Sequence, residues 1–339
     1  MWKRILLSLG VLLVLVLGAA ALVPLLIPAQ SIQPQGTAQA AATPDSRFVT
    51  IPFPGTPGIE VHYLERPGPA GSDGRAFLLL HGFTFNSFTW GEVLDPFATL
   101  GRTIAYDQIP YGLSAKLKGG DWTGANPYAK ESAIAQVFAV MDALGVKRAT
   151  LVGNSSGGTL ALEAALARPD RVEALILAAP WVYAQRPTVP PTVADLPQLR
   201  RLSLFIGRQL GDPTLLGASY QDPARISAER RDMATIHTRM ANWDLAWGAL
   251  LHQSLSTPVN VSERLGQVRQ PVLVITGDQD SLVKVADTQR VAQALPRATL
   301  AVLPDCGHAP QEECPAAFMG AVDPWVRGLA SDHGVPERQ

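Results

Sequence analysis

Residues 151–158 read LVGNSSGG, an apolar run that stops at two adjacent serines set among glycines. The run continues upstream as ATLVGNS and gives way downstream to SGGTLALEAALARPD, a stretch of strong helix formers ending near Pro169. Strand, sharp turn, helix is the simplest reading. Ser155 has Gly153 two residues before it and Gly157 two after. A tight strand-to-helix turn brings those two positions so close that a Cβ on either would clash. Ser156 has Asn154 and Gly158 at the same offsets, so the steric requirement fails on one side. If one serine is a nucleophile, it is Ser155. The competing readings are a plain tight turn and the formal glycosylation acceptor Asn154-Ser155-Ser156, which would place a glycan on a buried turn. Asn260-Val261-Ser262 is a second sequon in a more exposed setting.

Outward from this turn, short β-rich runs alternate with helical ones. RFVTIP and IEVHYLE predict an opening pair of strands separated by a Pro/Gly turn at Pro54–Gly58. AFLLL at 76–80 is continuously apolar, as a strand buried on both faces should be, and RTIAYD at 102–107 resembles it. Residues 128–144 place Ile134, Val137, Phe138, Met141 and Leu144 on one helical face. VEALILAAP (172–180), PVLVITG (271–277) and ATLAVLP (298–304) are further strands, with helices over 285–295 and 315–329. Strands alternating with helices predict an α/β fold: a mostly parallel central sheet with helices on both faces. Residues 181–265 interrupt this alternation with helical patterns only. An insertion there would sit over the carboxyl edge of the sheet, where ligands bind in such folds. It is read as a helical lid.

A serine hydroxyl needs a neighbouring base. His308 follows the last strand in the loop LPDCGHAPQEECP, at the same sheet edge as Ser155. His81 opens the loop after AFLLL and suits ordering that loop, while His62, His237, His252 and His333 lie in strand, lid or tail contexts. A carboxylate should hold the imidazole in one tautomer. ITGDQDSLV offers Asp278 and Asp280; Asp278 suits the turn itself, and Asp280 should project back toward the site. An oxyanion formed at the acyl carbon needs fixed N–H donors. The backbone of Ser156 at a helix N-terminus and that of Phe83 in HGFTFNS are the candidates.

The N-terminus is unlike the rest. After Lys3 and Arg4, Ile5 to Val23 carries no charge. As a helix it would span about 28 Å, close to the hydrocarbon thickness of a bilayer. Residues 1–28 are read as a transmembrane anchor or a signal peptide, 29–46 as a flexible linker and 47–335 as the catalytic domain. The flanking cations would keep the first residues in the cytoplasm, placing the domain outside it, anchored or secreted after cleavage. With 28 Lys+Arg against 29 Asp+Glu and no dense basic block, nucleic acid is excluded as a partner. Two cysteines without zinc-type spacing to histidine call for no metal, and nothing in the sequence asks for a cofactor.

The pieces LLLHGF, AYDQIPYGLS, LVGNSSGG, VLVITGDQD and CGHAPQEECP, in that order across 48–330, resemble the α/β-hydrolase superfamily in its lid-bearing branch. The resemblance implies a serine hydrolase with Ser155, Asp280 and His308 as its triad, acting on a small acyl substrate such as an ester. Relatives that cleave carbon–carbon bonds often carry Trp after the catalytic histidine, where this chain has Ala309. That reaction, a cofactor-free haloperoxidase-like activity and a non-catalytic binding module on the same scaffold are the alternatives. Where the family usually has Asp-Arg-Pro-Gly, this chain has Asp107-Gln108-Ile109-Pro110. Trp181, Phe205, Trp243 and Trp247 suggest an apolar pocket, or equally the core of the lid. Cys306 and Cys314 flank His308 and suit packing as small apolar side chains, or pairing in an exported protein.

Overall fold

Eight apolar runs become strands of one sheet in a computed structural model that describes residues 2–31, 36–70, 74–183, 188–209 and 214–332. The strands are β1 (Arg47–Ile51), β2 (Ile59–Arg66), β3 (Ala76–Leu80), β4 (Arg102–Tyr106), β5 (Ala149–Asn154), β6 (Val172–Ala178), β7 (Val272–Gly277) and β8 (Ala298–Leu303). Their spatial order is β1-β2-β4-β3-β5-β6-β7-β8. β1–β2 and β2–β4 are antiparallel, and every later pair is parallel.

The helices are α1 (Trp2–Leu22), α2 (Ala38–Ala41), α3 (Gly91–Ala98), α4 (Lys130–Ala143), α5 (Ser156–Ala167), α6 (Pro191–Ala194), α7 (Pro197–Gln209), α8 (Thr214–Ala218), α9 (Ala228–Ala234), α10 (Trp243–Ser254), α11 (Val285–Ala294), α12 (Pro310–Glu313) and α13 (Pro315–Asp332). The central strands alternate their side chains between two cores. Leu78, Leu80, Leu151, Leu175 and Val274 pack with Val137 and Met141 of α4, Ala161 of α5 and Val291 of α11. Phe77, Leu79, Val152, Ile176 and Ile275 pack with Val93 and Phe97 of α3 and Phe318 and Val322 of α13. A strand buried on both faces reads as an unbroken apolar run, which is why AFLLL and LVITG contain no polar alternation. β8 is the edge strand and is polar-tolerant: Leu300 and Val302 are exposed.

Between β6 and β7 the described chain is helical, as its lack of β-rich runs predicted. Its centre is the pair α7 and α10. Gly207 and Gly248 let the two backbones approach so closely that a Cβ on Gly207 would lie 3.0 Å from the Gly248 nitrogen.

The segment expected as a flexible linker behaves differently. Ala38 is buried against Leu113, Ile236 and Met240, and Gly36 accepts a hydrogen bond from the Ala241 amide at 3.0 Å. Asp45 pairs with Arg66 at 2.8 Å, and Ser46 bonds the His62 ring at 2.9 Å. Small residues make this possible, because a chain of Ala, Gly, Ser and Thr lies flat on a surface without needing a periodic apolar stripe. Residues 32–35 of that segment lie outside the described residues.

Among the described residues, one helix, Ile5–Leu26 by hydropathy, is long and apolar enough to cross a membrane, and it is not buried against the rest of the chain. Cys306 and Cys314, for which packing and pairing stood as alternatives, are joined in a disulfide.

Candidate active site

The turn after β5 is set by sterics. A Cβ on Gly153 would lie 2.4 Å from the Gly157 carbonyl oxygen, and one on Gly157 would lie 2.1 Å from the Leu80 oxygen. Only glycine fits either place. Ser155 between them has φ 54° and ψ −119°, a conformation that costs a residue with a Cβ about 1–3 kcal/mol. The strain holds the side chain at the tip of the turn. Ser155 is buried to 6% exposure but lines a cavity of about 550 Å³ at the carboxyl edge of the sheet.

His308 lines the same cavity. Its Nδ1 bonds Asp280 Oδ2 at 2.9 Å, and both residues are buried. The other oxygen of Asp280 accepts from the amides of Leu282 and Val283, each at 2.9 Å, so the carboxylate cannot rotate away. Asp278, the alternative acid, is exposed in the turn. With Nδ1–H donated to Asp280, Nε2 of His308 carries the lone pair. Among the described residues, neither that nitrogen nor the Ser155 hydroxyl makes a protein hydrogen bond, with each other or elsewhere, and both face the cavity. Catalytic hydrogen bonds are often completed only when substrate is bound.

The two candidate oxyanion donors also border the cavity. Neither the Ser156 nor the Phe83 amide donates to a protein acceptor among the described residues. Ser156 opens α5, whose N-terminus favours negative charge. The Phe83 loop is held by His81. Its Nδ1 donates to the Gly82 carbonyl at 2.8 Å, and its Nε2 accepts from the Gln108 amide at 3.1 Å. Burial lowers the His81 pKa, which suits the neutral tautomer this pattern needs. Gln108 returns a bond from its Nε2 to the His81 carbonyl at 2.8 Å. The departure at Gln108 thus ties the two loops together.

The His308 loop is anchored by groups that sequence reasoning missed. Glu313 accepts from the amides of Gly307 (2.7 Å), Gln221 (3.0 Å) and Asp222 (2.9 Å). Glu312 receives a two-pronged contact from Arg230 at 2.8 and 2.7 Å, together with the hydroxyls of Tyr220 (2.6 Å) and Thr89. The Ser219 carbonyl accepts the His308 amide at 2.8 Å. From behind, Asn154 Nδ2 bonds the His308 carbonyl at 3.1 Å. Asn154 is therefore fully buried and engaged rather than a glycan acceptor. The one signal available in sequence was the pair of adjacent acids just after His308.

The chain belongs to the α/β-hydrolase fold family. The family's sequence profile matches residues 75–315, described as the alpha/beta hydrolase fold. A 2-hydroxy-6-oxononadienedioate/2-hydroxy-6-oxononatrienedioate hydrolase of Burkholderia vietnamiensis is 29% identical over 83% of this chain and 96% of its own length. A pimeloyl-[acyl-carrier protein] methyl ester esterase of Nitrosomonas europaea is 27% identical over 74% of this chain and 95% of its own. A crystal structure described as a membrane phospholipase A superposes with a TM-score of 0.65 at 21% identity, covering 97% of this chain and 99% of that one.

Within the family frame, the cavity walls are mostly apolar: Ile109, Tyr128, Leu160, Trp181, Leu250 and Val259 contribute. Glu163 and Lys130 also line it, 3.7 Å apart, and Glu163 is held by Arg264 at 2.5 Å. Of the four aromatics singled out for a pocket, only Trp181 lines this cavity. Trp243 and Trp247 are buried against Tyr111 of the loop after β4, where the insertion meets the sheet edge, and Phe205 is exposed. Their apolar character satisfies lid packing before it can serve a ligand.

Proposed function

We propose that the protein is a serine hydrolase that cleaves carboxylic esters with an apolar acyl group through an acyl-enzyme. The observation that carries this reading is the Asp280–His308 pair facing the same cavity as the strained Ser155 turn. His308 Nε2 takes the Ser155 proton as Oγ attacks the acyl carbon. The oxyanion develops between the Phe83 and Ser156 amides, and His308 gives its proton to the departing alkoxide. Water then enters, loses a proton to His308 and attacks the ester carbonyl. The carboxylic acid departs, and Ser155 regains its proton. Asp280 orients the imidazole throughout and stabilises its cationic form. The named esterase relative supports the reaction class.

A second reading, hydrolysis of a carbon–carbon bond, is favoured by the relative from Burkholderia vietnamiensis. Ala309 after His308 weighs against it. Kinetics on p-nitrophenyl esters of increasing acyl length, set beside a vinylogous diketone acid, separate the two. The proposal expects turnover of the esters, rising with acyl length, and its loss in Ser155→Ala. Turnover of the diketone alone would replace it.

We further infer that α1 is an uncut anchor holding the catalytic domain outside the cytoplasm. The disulfide beside His308 fits an oxidising compartment.

A further inference from the structure

Helix α7 has two apolar faces. Ser203, Leu204 and Gly207 face α10 and are buried. At about 100° per residue, Leu199, Leu202, Phe205 and Ile206 fall together on the opposite side. There Leu202 is 40% exposed, Phe205 46% and Ile206 43%, with Leu199 half-buried. Leu196, 48% exposed, extends the patch at the start of the helix. A helix of a soluble lid normally shows water a polar face, and a contiguous apolar surface of this kind marks an interaction site.

What lies beside this face identifies its occupant. α7 packs against residues 23–26, the turn through which the chain leaves α1. Three α7 side chains grip that exit: Gln198 Nε2 to the Ala21 carbonyl (3.0 Å), Arg201 Nη1 to the Ile27 carbonyl (2.6 Å) and Arg208 Nη2 to the Gln30 carbonyl (2.7 Å). Leu26 is 80% exposed at the same place. The exposed apolar face is therefore fixed next to the end of the one helix among the described residues that is long and apolar enough to span a bilayer. Arg201 and Arg208 lie along one edge of the stripe and hold the α1 exit, Arg208 also pairing with Asp244 at 3.0 Å.

We propose that α7 is a second membrane contact, lying in the acyl–headgroup boundary with Leu202, Phe205 and Ile206 turned into the lipid. This rests on the anchor reading of α1. α10 packs on the buried side of α7 and lines the catalytic cavity with Leu250, Leu251 and Ser254. The cavity is thus one helix away from the lipid surface.

The test uses the full chain in phosphatidylcholine–phosphatidylglycerol vesicles, with an environment-sensitive fluorophore on one introduced cysteine at a time. Both native cysteines are in the disulfide, so the introduced thiol is the one labelled. Ile206→Cys reports the lid face, Leu12→Cys the anchor and Glu92→Cys the exposed start of α3, outside the insertion. With brominated acyl chains, the proposal expects at least twofold quenching at positions 206 and 12 and none at 92. Adding Phe205→Glu should cut the quenching at 206 by about half while leaving position 12 unchanged. Quenching at 12 without quenching at 206 would overturn the lid contact and leave the anchor standing. Self-quenching at 206 that falls on dilution with unlabelled protein, without bromine quenching, would assign the face to a second copy of the chain and also overturn it. No quenching at either position would remove the anchor reading and the proposal with it.

Discussion

The Ser155 turn and the His308 loop lie on one cavity and are built in opposite ways. The first is specified by the strand and helix that flank it and by the next strand: a Cβ on Gly153 would meet the Gly157 carbonyl, and one on Gly157 the Leu80 carbonyl of β3. The second is specified from a distance. Gly307 is required because a Cβ there would lie 2.6 Å from the Gln221 nitrogen and 2.8 Å from the Ser219 oxygen, both in the helical insertion. Glu312 and Glu313 fasten the loop to that same insertion. The insertion therefore positions His308, the proposed general base, as well as bordering the cavity, and a fault in the insertion should be felt as a fault in catalysis.

The comparison can be broken most forcefully at the carboxylate. Asp280→Asn should lower kcat by about 10⁴-fold with the fold intact, because the amide stabilises the wrong imidazole tautomer. Asp278→Asn, in the exposed turn, should leave kcat within about twofold. Equal losses would show that the buried pair is not the working one. Gly153→Ala probes the local side: the added methyl would lie 2.4 Å from the Gly157 carbonyl oxygen, and a denaturation midpoint should report a loss exceeding about 3 kcal/mol. A silent alanine there would mean that the turn is not sterically dictated.

Glu313→Ala probes the distant side. It strands three amide donors, so stability should fall by about 3 kcal/mol and kcat by about tenfold, since the His308 loop loses its tie to the insertion. An unchanged kcat in the still-folded variant would uncouple lid and base. The smallest effect concerns His237, buried in the insertion against Trp243 and Trp247. Burial, assisted by the Lys116 charge, pushes its pKa down to about 3. Since the unfolded chain takes up the proton near pH 6.5 and the folded one does not, this contribution to stability is complete above that value and is lost as pH falls. Between pH 7 and 5 the loss should be about 2 kcal/mol, and His237→Phe should flatten that part of the urea-stability profile.

What could be read in the sequence divides along the same line. β3, β5, β6 and β7 were legible because burial on both faces leaves mostly apolar letters. Ser155 was legible because its glycines sit at fixed offsets. Asp280 was separable from Asp278 by the geometry of a turn. Glu312 and Glu313 were not legible as anchors, because their partners Arg230, Tyr220, Gln221 and Asp222 lie about 90 residues away and no local period links them. Residues 36–46 read as a tether because small side chains give no periodic signal even when packed. The second apolar face of α7 was hidden for the opposite reason: LPQLRRLSLFIGRQL is apolar on both sides, and composition does not say which side meets the core.

Both loops border the cavity at Ser155, the proposed nucleophile, and mapping a fluorophosphonate adduct by tryptic mass spectrometry tests that role most directly. The account predicts one adduct, on Ser155, absent from Ser155→Ala and His308→Ala and retained in Ser156→Ala. An adduct that survives Ser155→Ala, or native protein that takes none, would contradict it.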